Sequence, residues 1–176
     1  MVIELNKLLN QTVRLEQAVA MGGERHPMDG VGYREPVAID LVLTGKDRDF
    51  KLEGSFRASL TLTCHRCLRS FEHTLERKID LVFIPRDRMP AGEVDVELAD
   101  KDMNVASYLD TLDLRQVIDE QVVLALPMKI LCSDDCKGLC QVCGRDLNEG
   151  PCDCPDGRVD DRLLVLKEIK KKLFGA

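Results

Sequence analysis

A chain of 176 residues with 44% apolar content, five Phe, two Tyr and no Trp can build one domain of ordinary size around an aliphatic core. Its formal net charge of −6 is the wrong sign for non-specific binding to a polyanion, so any nucleic-acid contact needs a local basic face or a protein intermediary. The opening MVIELNKLLNQTVRLEQAV lacks the cationic start and apolar stretch of a signal peptide, and no apolar run approaches the ~18 residues that span a bilayer. A soluble, cytoplasmic protein is expected.

The first twenty residues fit either a short helix, through Ile3, Leu5, Leu8, Leu9 and Val13, or a strand around Val13, Leu15 and Gln17. GGERHPMDGVGYREP then reads as a loop, with His26 exposed in it. Beyond it the period becomes two. Val37, Ile39, Leu41 and Leu43 share one strand face, and a shorter alternating segment surrounds Phe50 and Leu52. SFRASLTLTC alternates most clearly, with Phe56, Ala58, Leu60, Leu62 and Cys64 on one side; FEHTLERKIDLVFI resumes the pattern through Phe71, Leu75, Ile79, Leu81 and Phe83. Cys64-His65-Arg66-Cys67 therefore sits at a hairpin tip of an antiparallel sheet. His65 is expected as a turn residue and His73 as partly buried at the sheet edge.

The segment from Arg86 to Tyr108 reads as an acidic loop with one short strand, VDVEL. Between Glu93 and Glu120 there are nine acidic and two basic residues, a belt suited either to solvent or to a basic partner. A helix follows, with Asp113 as its cap, Gln116 in the capping-box position, an apolar stripe of Leu114, Val117, Ile118, Val122 and Ala125, and Pro127 as its stop. A last helix is expected over VDDRLLVLKEIKKKL, with Asp160 and Asp161 near its start and Lys170 to Lys172 at its end, as the helix dipole favours. These elements predict an α+β fold: an antiparallel sheet core, a few packed helices and a loop-rich C-terminal cysteine cluster. Residues 1–127 would form the sheet part and 128–176 the cluster and final helix, packed as one unit.

Six of the eight cysteines lie within LCSDDCKGLCQVCGRDLNEGPCDC, and the other two in TCHRC. In reducing cytosol, a chain large enough to build a core has little use for four disulfides, and clustered Cys-x-x-Cys pairs point to metal. Thiolates at this spacing suit zinc, one or two ions. Cys140, Cys143, Cys152 and Cys154 close a site within fifteen residues, with Gly144 able to take a positive φ just after the second ligand. Cys64, Cys67, Cys132 and Cys136 would then form another. Alternatively Cys64, Cys67, Cys140 and Cys143 pair as two knuckles of a ribbon, and the tight Cys-x-Cys spacing leaves one of Cys152 and Cys154 outside a coordination shell. A closed all-sulfur site holds structure and leaves no position for substrate. Thiol–disulfide exchange would want its Cys-x-x-Cys at a helix start after a strand, whereas this one joins two strands. No phosphate loop, dinucleotide fingerprint or nucleophile elbow is present, and Asp119 and Glu120 face different ways on their helix. No enzyme and no small-molecule substrate are expected.

TLTCHRCLRSFE, LDLRQVIDEQVVLALPMKILC, CKGLCQVCGRDLNEGPCDC and DDRLLVLKEIKKKL, in this order, resemble the bacterial YceD family of large-ribosomal-RNA accumulation proteins, which is represented also in plastids. The resemblance runs from about Leu41 onward and is most specific in GLCQVCGRDLN and EQVVLALP. It implies a non-enzymatic role in large-subunit ribosome biogenesis, acting on 23S rRNA synthesis, processing or stability, with ribosomal RNA or the pre-ribosomal large subunit as partner and no membrane. A protein–protein adaptor that docks a basic partner such as a ribosomal protein on its acidic belt is the alternative. The basic side chains available for RNA are Arg66 and Arg69 at the hairpin tip, with Lys129, Lys137 and Arg145 flanking the cysteine cluster; Arg158, Arg162 and Lys167 follow.

Overall fold

A computed structural model of the chain describes residues 1–21, 28–88 and 104–154, together with positions 166, 169 and 172. The expectations for His26, VDVEL, Arg158, Arg162 and Lys167 lie outside the described residues. So does most of the expected last helix, although Leu166, Ile169 and Lys172 are helical. Two compact units are distinguishable: Met1–Cys64 with Arg69–Cys132, and His65–Leu68 with the residues from Ser133 onward.

The first unit is dominated by strand alternation. Its order is β1 (Val2–Glu4), a 3-10 turn at Leu5–Leu8, β2 (Thr12–Val19), β3 (Val31–Tyr33), β4 (Val37–Lys46), β5 (Asp49–Thr63), β6 (Ser70–Pro85), a 3-10 turn at Arg86–Arg88, β7 (Val105–Tyr108), β8 (Thr111–Asp113) and α1 (Leu114–Ala125). A six-stranded open sheet runs β2-β4-β5-β6-β7, with β3 also on β5; β1 and β8 make a separate pair. Val37, Ile39, Leu41 and Leu43 of β4 and Phe50, Leu52, Phe56, Ala58, Leu60 and Leu62 of β5 are buried on one face, as their spacing predicts. Leu114, Val117, Ile118 and Val122 of α1 join the same apolar core.

The structure refines or departs from expectation in several places. Of the two readings of the N-terminus, the strand around Val13, Leu15 and Gln17 is present as β2, whereas the helix is not: β1 and a short 3-10 turn precede it. The two segments read on either side of Gly54 are one strand: Gly54 takes φ +142 inside β5, pairs with Leu41, and lets the strand continue where a Cβ would strike the Asp40 carbonyl oxygen. The segment from Arg86 to Tyr108 is not all loop. Its end forms β7, which pairs with β6 in parallel (Val82 opposite Val105), so the sheet is not purely antiparallel. Tyr108 anchors it, edge-on to Phe50 with centroids 5.5 Å apart and its hydroxyl donating to the Arg48 carbonyl at 2.8 Å. Finally, α1 is the one complete helix among the described residues, most of the second expected helix lying outside them. No described helix is long and apolar enough to cross a membrane.

Asp113 caps α1 as predicted, accepting from the Arg115 N–H at 3.0 Å. Gln116 does not complete a capping box; it donates to Glu120 at 3.0 Å, one turn on. The Tyr33 hydroxyl donates to Asp119 at 2.7 Å and so ties β3 to α1. Burial first and the Asp119 carboxylate second push the Tyr33 phenol above its ordinary range. His73, expected to be partly buried, is exposed on β6 opposite Leu60.

Candidate metal centres

The register of β5 and β6 ends at Thr63 opposite Ser70, which leaves Cys64 to Arg69 as the connecting turn. The Cys64 N–H closes it onto the Arg69 carbonyl at 3.0 Å. A second turn is built the same way from LCQVCGRD: Leu139 bridges Asp146 antiparallel, and the Cys140 N–H donates to the Arg145 carbonyl at 2.8 Å. In each, the residue after the second cysteine is left-handed, Gly144 at φ +74 and Leu68 at φ +59. Within the second turn the Gly144 N–H donates to the Cys140 carbonyl at 2.9 Å, and the Val142 N–H reaches the Cys140 Sγ at 3.4 Å.

The eight thiols gather into two groups of four. Cys64, Cys67, Cys132 and Cys136 form one, and Cys140, Cys143, Cys152 and Cys154 the other, with all sulfurs of a group within 4.8 Å of one another. This is the division that local spacing favoured over a ribbon of Cys64, Cys67, Cys140 and Cys143. A tetrahedron of thiolates around an ion at ~2.3 Å has edges of about 3.8 Å, so small side-chain movements would complete either shell. Each group of four could hold a metal ion. Cys152 and Cys154 both belong to the second group, so the tight Cys-x-Cys spacing excludes neither.

The second group also shows why a cation suits it. N–H groups of Cys143 and Val142, with a hydrogen bond from Cys152, stabilise the Cys140 thiolate and bring that thiol down to about 6. The Cys154 thiol is pushed up to about 12, chiefly by its hydrogen bond to Cys143 and then by desolvation. The crowded sulfurs thus oppose one another, Cys140 favouring the thiolate and Cys154 the thiol. A divalent ion removes that conflict by stabilising all four as thiolates.

The model of the family described as "Large ribosomal RNA subunit accumulation protein YceD" matches residues 52–170. The chain belongs to the YceD family. It is 28% identical to "Large ribosomal RNA subunit accumulation protein YCED homolog 1, chloroplastic" of Arabidopsis thaliana, over 94% of this chain and 58% of that protein. The protein of the same name in Zea mays is 27% identical over 81% of this chain and 56% of its own length. "Uncharacterized protein YlbN" of Bacillus subtilis (strain 168) is 20% identical over 97% and 95% of the two chains. This chain thus spans under two thirds of the two plant relatives. No solved structure matches it significantly.

In this YceD-family chain, two of the basic residues read from sequence as RNA contacts are engaged beside the cysteines. The Arg66 Nη1 donates to the carbonyls of Cys136 at 2.8 Å and Asp134 at 3.4 Å. The Arg69 Nη2 approaches the Cys132 Sγ at 3.8 Å. Lys129, Lys137 and Arg145 are exposed. Gly138 takes φ +76 against the Arg66 carbonyl, which a Cβ would approach to 3.1 Å. Asn148 went unnoticed in the sequence. Its Nδ2 donates to the Cys136 Sγ at 3.5 Å, while its Oδ1 accepts the Lys137 N–H at 2.8 Å. Its only signal is the Asp-x-Asn turn, in which the Asp146 carboxylate accepts the Asn148 N–H at 2.9 Å.

Proposed function

We propose that this protein is a non-enzymatic factor of large ribosomal subunit biogenesis, acting on 23S rRNA synthesis, processing or stability while associated with large-subunit precursors. The family match over residues 52–170 carries this reading. The cysteine chemistry agrees with it. Four thiolates around one ion suit zinc, which takes tetrahedral sulfur ligation and brings no redox chemistry of its own. Cys64, Cys67, Cys132 and Cys136 would hold one zinc ion and Cys140, Cys143, Cys152 and Cys154 another. A filled shell of this kind offers no coordination position to a substrate, so the metal's role is to hold loops in place.

Contact with rRNA phosphates would fall to the exposed Lys129, Lys137 and Arg145, since Arg66 and Arg69 reach carbonyls and a sulfur of the cysteine-bearing segments. A cytoplasmic location, or the stroma in a plastid, follows from such a role. Sedimentation of crosslinked extract from cells producing the tagged chain tests the reading. Co-migration with large-subunit precursors and crosslinks to 23S rRNA are expected. Recovery at the top of the gradient without ribosomal RNA or proteins would refute it.

A further inference from the structure

Only three residues, Lys137 to Leu139, separate Cys136 of the first sulfur group from Cys140 of the second. Each of the three is held from outside the link. The Leu139 N–H donates at 3.1 Å to the carbonyl of Arg66, which lies between Cys64 and Cys67. The Lys137 N–H donates to the Asn148 Oδ1 at 2.8 Å, and the Gly138 carbonyl accepts from the Leu147 N–H at 2.9 Å. Leu147 and Asn148 belong to the loop that joins Cys143 to Cys152 and so closes the second group. The link is thereby clamped between a turn that carries ligands of one group and a loop that spans the other.

The side chain of Asn148 carries this further. Its Nδ2 donates to the Cys136 Sγ at 3.5 Å and to the Asp146 Oδ1 at 2.6 Å, so a residue of the second group's loop touches a ligand of the first. The turn at Asp146 does not require the bond to sulfur, because the Asn148 backbone N–H already closes it on the same carboxylate at 2.9 Å. Cys136 is 2% exposed, so water competes weakly for that sulfur. A donor aimed at a ligating sulfur offsets part of its charge and fixes its position, and such outer bonds are worth roughly ten- to a hundredfold in metal affinity. Placing this donor depends on the loop, which has little apolar burial to hold it without an ion at Cys140, Cys143, Cys152 and Cys154. Filling the second group therefore sets Asn148 in place for the first. By linkage, filling the first strengthens the second by the same factor. We infer that Asn148 is a positioning residue that couples the two metal centres, so that the two ions bind cooperatively. The coupling rests on the two-zinc reading above and is independent of the ribosomal role.

Zinc affinities measured on the full-length chain by competition with a chromophoric chelator test the coupling. Three backgrounds are compared: the unchanged chain, Cys64→Ser with Cys67→Ser, and Cys143→Ser with Cys152→Ser, each with and without Asn148→Ala. Each serine chain should still hold one ion at saturating zinc. The two-ion constant of the unchanged chain should exceed the product of the two single-ion constants at least about fivefold, and with Asn148→Ala throughout, that ratio should fall to within about twofold of one. Asn148→Asp keeps the acceptor for Lys137 but sets an oxygen against Cys136, so it should weaken the first group's ion more than Asn148→Ala does; a residue that only shaped its own turn would show the opposite order. In cadmium-loaded protein, Asn148→Ala should also move the cadmium-113 resonance of the first group, identified by its loss in the Cys64 and Cys67 variant, although residue 148 supplies no ligand to it. A ratio near one in the unchanged chain, the same ratio with and without Asn148, or an unmoved first-group resonance would overturn the coupling and leave two zinc ions in place. A chain that holds fewer than two ions would overturn the two-zinc reading and the coupling with it.

Discussion

Stripping zinc from the protein should unfold the cysteine-rich segment while leaving the sheet intact, and the expected size of the effect can be worked from the structure. Among residues 133–154, Cys136 is the only described apolar side chain in the buried core, and Leu139 and Leu147 are only partly covered. Two half-covered leucines contribute roughly 3 kcal/mol in all. About a dozen hydrogen bonds of this segment, such as Leu139 to Arg66, Gly144 to Cys140 and Leu147 to Gly138, add ~1 kcal/mol each. Ordering these 22 residues costs at least ~1 kcal/mol per residue. The shortfall is therefore on the order of 7 kcal/mol, and a structural zinc ion at ~10 kcal/mol or more covers it with a few kcal/mol to spare. Hydrogen exchange read by mass spectrometry checks this. With metal, the amides of Leu139, Cys140, Gly144 and Leu147 should be protected about a hundredfold or more; after chelation they should exchange like free chain. Amides paired along β4, β5 and β6 should keep their protection. If the 133–154 amides stayed protected in protein shown by elemental analysis to be metal-free, zinc would not be what holds them.

Replacing Cys143 and Cys152 together with Ser should lower zinc content from two equivalents to one by plasma mass spectrometry, and replacing Cys64 and Cys67 should remove the other; loss of both equivalents, or of neither, would contradict two independent sites. Gly54→Ala should cost about 3 kcal/mol in urea unfolding, combining backbone strain at φ +142 with a clash on the Asp40 carbonyl, and a loss below 1 kcal/mol would mean β5 can flatten there. Tyr33→Phe should cost roughly 1–2 kcal/mol by the same assay, because it removes the bond to Asp119 and leaves that carboxylate without this donor. Desolvation pushes the Asp113 carboxyl up, but the Arg115 N–H and the Met1 ammonium outweigh it and hold the carboxyl below the usual carboxylate range. A depressed acid stabilises above its unfolded value and loses that contribution as pH falls through the folded one. Stability should therefore drop below about pH 4 in part through Asp113, and an unfolding series with Asp113→Asn should show a weaker fall over that range.

The strands that define the sheet were legible because Val37 to Leu43, Phe56 to Leu62 and Leu75 to Phe83 alternate with few breaks, Arg77 being the main one, and a two-residue period needs no tertiary information to read. The cap at Asp113 and the turn at Cys64 were legible for the same local reason. Gly54 misled, since a glycine inside a strand pattern looks like a break unless the neighbouring strand is known to press on it. β7 was invisible. Val105 to Tyr108 is too short for a period, and its parallel pairing with β6 is set by long-range contacts. At the cysteine turns, glycine marks the left-handed position at 144, whereas Leu68 takes it with no signal at all. Arg66 and Arg69 looked like exposed charges because a basic residue in a turn usually is one. Their carbonyl and sulfur partners lie some 60 to 70 residues away in the chain. The gathering of cysteines was readable from spacing; the supporting Asn148 was not, because it acts through a side chain aimed across a turn.

The outer edge of the main sheet bears on how the molecule behaves at high concentration. Among the described residues, β2 ends the sheet with a row of backbone groups that another strand could extend. Its Glu16 stands directly opposite Asp40 of β4, a like-charge pair that Arg14 bridges, bonding Asp40 at 3.0 Å and lying 3.6 Å from Glu16. Any strand added to β2 would have to accommodate this charged triplet and its hydration. The edge is thereby a poor template for fibril growth, and neutralising Arg14, Glu16 or Asp40 would erode solubility before it touched the fold.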